Sequence, residues 1–131
     1  MNKDIRWRQR FANFEKAYHL LEQTVGIAHP SPAERGGLIQ FFETVFELSW
    51  KTLKDYLEAQ GLTVGTPREA IKQAFQIELI DDGQRWMKML EDRNLTAHTY
   101  DEAISLKVEK LVKEKYFPLF QALYAVLKSK M

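Results

Sequence analysis

The stretch GLIQFFETVFELSWKTLKDYLEAQG, residues 37–61, decides the fold, because its apolar side chains recur with the spacing of an α-helix. At about 100° per residue, one face of this helix collects Leu38, Phe42, Val45, Ser49, Leu53 and Tyr56. Other apolar residues widen that face on both sides: Ile39, Phe46, Trp50, Leu57, Phe41 and Leu48. An apolar arc of more than half the circumference predicts a helix over about 37–60 that is central or lies at a subunit interface.

The rest of the chain is also helical in character. A first helix is predicted over about 4–25, followed by the loop GIAHPSPAERGG, which has two prolines and three glycines. Further helices are predicted over about 66–80, 84–95 and 99–128. Because no segment shows a sustained period of two, strands are not expected. The predicted fold class is all-α, an antiparallel bundle of four or five helices in a single domain that covers residues 1–131.

Local signals mark the ends of two of these helices. Thr66 and Glu69, on either side of a proline, predict a capping box at the start of the third helix. Thr99 and Glu102 predict a second capping box that opens the last helix. Pro118 interrupts the last pattern, so a kink is expected there.

Composition excludes several classes of site. The chain has no cysteine, so disulfides, thiolate catalysis and cysteine-bound zinc are excluded. Its net charge is only +1, so any anion site must be local. There is no glycine-rich phosphate loop, no HExxH motif and no convincing metal-ligand spacing; a metal ion or cofactor is therefore not expected. The charged N-terminus and the short apolar stretch YFPLFQALYAVL argue against secretion and a membrane span, so a cytoplasmic protein is expected.

Carboxylates on the second helix allow two interpretations. Glu43 and Glu47 are one turn apart, with Lys51 and Lys54 in reach of Glu47. Such charges usually form a solvated face with weak ion pairs. Alternatively, Glu43, at the edge of the apolar arc, is partly buried and lines a cleft or an inter-helix contact.

The stretch EDRNLTAHTY, residues 91–100, also carries reactive side chains. Arg93 offers a fork of donors suited to phosphate, and His98 can exchange a proton near neutral pH. Tyr100 adds a hydroxyl, while Asp92 and Asn94 flank the arginine. This combination suits metal-free RNA cleavage, in which the histidine assists the 2′-hydroxyl or the leaving oxygen and the arginine stabilises the charged transition state.

An ordinary polar corner between helices is the alternative. There, His98 caps a helix end and Arg93 pairs with Asp92 or Glu91. In a continuous helix, His98 would lie about 140° from Arg93. A break near Thr96 would remove that constraint and allow the motif to face one groove.

The pattern R-x4-H-x-Y, with asparagine after the arginine, resembles the signature of the HEPN superfamily (higher eukaryotes and prokaryotes nucleotide-binding domains). The stretches GLIQFFETVFELSWKTLKDYLEAQG, TPREAIKQAF and LIDDGQRWMKMLEDRNLTAHTYDE resemble its nucleotidyltransferase substrate-binding proteins. The resemblance implies a helical bundle that forms a homodimer, with two R-x4-H motifs lining one cleft. It also implies a minimal nucleotidyltransferase partner encoded by a neighbouring gene.

Two functions are compatible with this resemblance. In one, the chain is a toxin, a metal-independent endoribonuclease acting on RNA, which the partner neutralises as an antitoxin by AMP transfer. Arg93 and His98 would then be catalytic, Tyr100 would be the modification site, and Asp92 and Asn94 would support them. In the other, the chain is a non-catalytic substrate- or nucleotide-binding subunit of a two-component nucleotidyltransferase. The resemblance gives Glu43 no clear role.

Overall fold

The computed structural model describes residues 2–131, and every regular element among them is a helix. Its helices are α1 (Lys3–Val25), α2 (Pro32–Ala59), α3 (Pro67–Gln76), α4 (Gly83–Asp92), a 3-10 helix (Arg93–His98), α5 (Glu102–Leu111), a π-helical turn (Val112–Tyr116) and α6 (Phe117–Lys128). The 3-10 helix continues α4 directly, and α5, the π-helical turn and α6 follow one another without a break. Counted as continuous helical rods, the bundle therefore has five. The predicted all-α bundle is confirmed.

The second helix is central, as its wide apolar arc predicts. It packs against α1, α3 and α5, and it also contacts the 3-10 helix. Its buried residues form one core with aromatic residues of other helices: Leu38, Phe42, Val45, Phe46, Leu53 and Leu57 from α2, with Trp7, Phe11, Phe14, Trp86 and Phe120. Phe41, Leu48 and Trp50, at the edges of the arc, are only partly buried. Packing within the bundle therefore buries most of the apolar arc of α2.

The start of α2 differs from the prediction. It begins at Pro32 because Ser31 and Glu34 form a capping box, with the Glu34 N–H donating to Ser31 Oγ at 3.1 Å and the Ser31 N–H donating to Glu34 Oε1 at 2.9 Å. Gly36 and Gly37 suggested a loop, yet a Cβ at either position would meet nothing within 4 Å. The two glycines lie on an open face, where a helix tolerates them.

The third helix begins as predicted and ends earlier. Thr66 Oγ1 accepts the Glu69 N–H at 3.2 Å, whereas the Glu69 carboxylate accepts from the N–H of Gly65 instead of completing the box at Thr66. The helix ends at Gln76, and Glu78 adopts a left-handed φ of 63°. That conformation is uncommon for a residue with a Cβ, and it turns the chain before residue 80.

Two details of the last rod also differ. Asp101, not Thr99, is the N-cap of α5, since its carboxylate accepts from the N–H of Ala103 at 2.9 Å. The irregularity expected at Pro118 is the π-helical turn directly before it. Because proline lacks an N–H and its ring crowds the preceding turn, a wider turn there relieves the conflict.

Polar contacts also join the helices. Arg10 Nε on α1 donates to Asp55 Oδ2 on α2 at 3.0 Å, and the Asp55 side chain is only 3% exposed. The Tyr124 hydroxyl on α6 donates to Glu15 Oε2 on α1 at 2.6 Å. Within residues 2–131, no helix combines the length and apolar character that crossing a bilayer requires.

Candidate functional site

The candidate site lies where α4 tightens into the 3-10 helix. Two threonine hydroxyls support this tighter path: Thr96 donates to the Arg93 carbonyl oxygen at 2.7 Å, and Thr99 donates to the Thr96 carbonyl oxygen at 3.2 Å. Such local bonds compete with a regular helix. The fourth helix is therefore shorter than predicted, and its break comes at Arg93 instead of near Thr96.

Arg93 is positioned by side chains of the second helix. Its Nη1 donates to Glu47 Oε1 at 3.0 Å, and its guanidinium carbon lies 5.4 Å from the centre of the Phe46 ring. The second oxygen of Glu47 accepts from Trp50 Nε1 at 3.0 Å, which orients the carboxylate. A guanidinium carries five N–H donors, so the bond to Glu47 leaves others for a ligand.

A cleft of about 440 Å³ lies in front of this arginine. It is lined by Glu43, Phe46, Glu47, Arg93, Asn94, Thr96 and Ala97. Three of the candidate residues therefore share one concave surface. An arginine with free donors, an amide and two carboxylates can bind a phosphate and its neighbouring hydroxyls.

Glu47 is the residue that the sequence interpretation missed. The spacing paired Glu47 with lysines on the same helix, but Lys54 instead pairs with Glu58 at 3.5 Å. Glu47 contacts Arg93, 46 residues later in the chain. Only its position three residues before Trp50, in reach of the indole N–H, could have suggested that its carboxylate is held in place.

His98 and Tyr100 lie beyond this cleft in the single chain and are not among the described residues that line it. Both are exposed, and their ring centres are 6.1 Å apart at an interplanar angle of 73°. Tyr100 lines a different cavity, of about 290 Å³, together with Arg35, Ile39 and Ser105. One subunit thus brings His98 to Tyr100 but does not bring either ring into the Arg93 cleft.

Asp92 points to another side of the helix than Arg93. Its carboxylate accepts from the Tyr116 hydroxyl and lies 3.3 Å from Lys88 Nζ. Burial, and then the bond to Asp92, raises the pKa of Tyr116 well above its usual range. Asp92 therefore joins α4 to the π-helical turn, and the alternative pairing of Arg93 with Asp92 is not observed.

Within residues 2–131, no group of three or more His, Asp or Glu side chains is arranged so that it could hold a metal ion.

Comparison with known proteins identifies the family. The family model described as nucleotidyltransferase substrate binding protein like matches residues 9–129. The chain belongs to this family. It is a member of the HEPN superfamily, which the R-x4-H-x-Y motif predicted, and of the subgroup that the longer stretches predicted.

Several known proteins are similar to it. The probable ribonuclease HepT of Haemophilus influenzae is 32% identical over 94 residues, which cover 65% of this chain and 64% of that protein. A solved structure from Haemophilus influenzae, described as the fold of a substrate binding domain of a nucleotidyltransferase, has a TM-score of 0.81 and 27% identity over 90% of this chain and 98% of that one. A tri-AMPylated Shewanella oneidensis HEPN toxin in complex with MNT antitoxin has a TM-score of 0.73, with 94% and 96% coverage. At 17% identity it shows a shared fold.

Proposed function

We propose that this chain is a HEPN-type toxin that cleaves RNA without a metal ion. The observation that carries the proposal is Arg93, held over Phe46 by Glu47 at a cleft, with donors left for a phosphate. The 32% identity with the probable ribonuclease HepT supports it. Because the match spans only about 64% of that relative, the proposed activity rests on the chemistry of the residues of this chain.

The reaction is an attack of RNA on itself. The ribose 2′-oxygen forms a bond to the neighbouring phosphorus, and the bond from phosphorus to the 5′-oxygen of the next nucleotide breaks. His98 accepts the proton of the 2′-hydroxyl, and a second acid gives a proton to the departing 5′-oxygen. Arg93 offsets the charge that develops on the phosphate oxygens. The products are a 2′,3′-cyclic phosphate and a free 5′-hydroxyl.

A two-fold homodimer completes this site. One chain supplies a single motif histidine, whereas two chains facing each other supply a base and an acid together with two copies of Arg93. The partly buried Trp50, which bonds to Glu47 at the edge of the cleft, supports such an interface, because a second copy facing the cleft would cover it. Light scattering at micromolar concentration tests the assembly, and a monomer would contradict it.

Control of the activity is assigned to Tyr100. A minimal nucleotidyltransferase, encoded by a neighbouring gene, joins AMP to the Tyr100 hydroxyl: the phenolic oxygen bonds to the α-phosphorus of ATP, and pyrophosphate leaves with the proton. The 86% exposure of Tyr100 supports this assignment, because a second enzyme must reach its oxygen. The added phosphate and nucleoside would lie next to His98 and obstruct both the RNA phosphate and the proton transfer.

Cleavage of RNA in the presence of a chelator tests the proposal. We expect wild-type protein to cut RNA without metal and Arg93→Ala to lose most of that activity. Arg85→Ala is the matched control, because Arg85 is an exposed arginine whose ion pair, among the residues that the structure describes, is with nearby Asp82. If the folded dimer does not cut RNA, or if Arg93→Ala cuts as well as Arg85→Ala, the proposal is wrong.

Mass spectrometry tests the silencing. Co-expression with the neighbouring nucleotidyltransferase should add the mass of AMP to the wild-type chain and abolish toxicity. Tyr100→Phe should stay toxic and unmodified. An unchanged mass, or an adduct on another residue, would contradict the assignment of Tyr100.

The alternative is a non-catalytic substrate-binding subunit of a two-component nucleotidyltransferase. It is supported by the 27% identity with the Haemophilus influenzae protein described as a substrate binding domain. A folded chain that binds a nucleotide and its partner, but leaves RNA intact, would favour this alternative.

A further inference from the structure

A groove of about 630 Å³ runs between α3 and α4, away from the proposed RNA site. It is lined by Arg68, Ile71, Lys72, Phe75, Gly83, Gln84, Met87, Lys88 and Glu91. Glu91 precedes Arg93 by two residues and therefore lies about 200° from it around the helix. A molecule in the groove and an RNA strand in the Arg93 cleft would thus occupy different sides of α4.

The floor of the groove is apolar and partly open to water. Ile71 is fully buried, whereas the Phe75 ring at the wall is 50% exposed. The ring packs closely on the start of α4, since a Cβ at Gly83 would lie 3.1 Å from Phe75 Cδ1. The absence of a side chain at Gly83 therefore allows Phe75 to form the wall. Ile77, just beyond α3, is a further exposed apolar residue, at 44%.

Positive charge lies along the α3 side of this apolar floor. Arg68 and Lys72 lie one turn apart on α3, both are exposed, and neither makes an ion pair within residues 2–131. Lys88, on the α4 side, is balanced by Asp92 at 3.3 Å and Glu91 at 3.6 Å. The α3 side of the groove thus has two cations without a partner on a chain whose net charge is only +1.

The dimensions suit a helix. The two helices that form the walls have 10 residues each, so each is about 15 Å long. That length matches two to three turns of a helix lying between them, with apolar residues against Phe75 and Ile71 and acidic residues against Arg68 and Lys72.

We propose that this groove is the docking surface for an acidic amphipathic helix of the nucleotidyltransferase partner, an inference that rests on the partnership proposed above. The partner covers the half-exposed Phe75 and pairs with the two free cations of α3. Its catalytic part remains free to reach the exposed Tyr100, which does not line the groove. Docking and silencing therefore use separate surfaces of the toxin.

The test is the affinity of the purified full-length chain for the nucleotidyltransferase encoded beside it, measured by calorimetry. Arg68→Glu with Lys72→Glu should raise the dissociation constant by about 30-fold or more, and the affinity should depend less on salt concentration than that of wild type. Phe75→Ala should weaken it by about 10-fold or more. Lys3→Glu with Arg6→Glu is the matched control: these two exposed cations lie on α1, which contacts α2 and α6. It should bind as wild type does.

The outcomes separate the two proposals. If the wild-type chain does not bind the nucleotidyltransferase, the partnership itself fails. If it binds and the groove variants, folded by circular dichroism, bind equally well, only the docking surface is wrong. A loss of RNA binding with partner binding intact would instead assign the groove to RNA. A change in oligomeric state would assign it to a second copy of the chain.

Discussion

Two carboxylates of the central helix pair with arginines of other helices, and the two carboxylates differ in their exposure. Arg10 pairs with Asp55, whose side chain is 3% exposed, whereas Arg93 pairs with Glu47, whose side chain is 44% exposed. The first pair fastens α1 to α2 within the bundle. The second holds an arginine at the edge of a cleft, where its other donors meet solvent. The same chemical pair thus stabilises the fold in one region and prepares a binding site in the other.

The largest effect is expected at His98. His98→Ala should lower RNA cleavage by about 10²- to 10⁴-fold, because the proton transfer loses its base or acid. The variant should stay folded, since His98 is exposed. The rate of cleavage of a defined RNA is the measurement. His29→Ala, at another exposed histidine, should cut at the wild-type rate; equal rates for the two variants would remove His98 from the reaction.

The next effect concerns the fold. Arg10→Ala leaves the Asp55 carboxylate buried without its partner, and this should lower the free energy of unfolding by about 3 kcal/mol. Urea unfolding measures the loss. Arg8→Ala is a control on the same helix, because Arg8 pairs with exposed Asp4 and its removal should change stability little. If Arg93→Ala proved as destabilising as Arg10→Ala, the contrast between the two regions would disappear.

A smaller effect on cleavage is expected from Glu47. Glu47→Ala removes the carboxylate that orients Arg93, so cleavage should fall about tenfold, equal to about 1.4 kcal/mol of barrier. Glu47→Gln should recover part of the rate, since the amide oxygen can still accept from Arg93. Glu43→Ala should have less effect, because the described structure shows no bond from Glu43 to Arg93. The reverse order of the two alanine variants would assign the positioning role to Glu43.

The smallest expected effect is a pH dependence at the contact between α1 and α6. The hydrogen bond from Tyr124 lowers the pKa of Glu15. The contact therefore contributes its full stability at pH values above the usual pKa of a glutamate, and this contribution is lost as the pH falls through the lowered pKa. The same bond raises the pKa of Tyr124 to about 12. Tyr124→Phe should therefore lower stability by about 1 kcal/mol near neutral pH.

Unfolding experiments at several pH values check this contact. The difference between wild type and Tyr124→Phe should shrink as the carboxylate of Glu15 is protonated. A difference that stays constant into acid would show that the Glu15 carboxylate does not contribute.

The sequence predicted what depends on local pattern. The apolar period of α2 gave its central position, and Thr66 marked the start of α3 correctly. The glycines before Leu38 hid the first turns of α2, because glycine weakens a helix without forbidding it. The partner of Arg93 could not be predicted, because Glu47 reaches it only through the way α2 and the 3-10 helix pack. The bond from Asp92 to Tyr116 depends on packing in the same way.

The most direct measurement is the chemical nature of the RNA ends that the purified wild-type chain produces in the presence of a chelator. Attack by the 2′-oxygen, with Arg93 and His98 as the working groups, predicts fragments that end in a 2′,3′-cyclic phosphate and begin with a 5′-hydroxyl. Intact RNA, or fragments with 3′-hydroxyl and 5′-phosphate ends, would contradict the proposed mechanism.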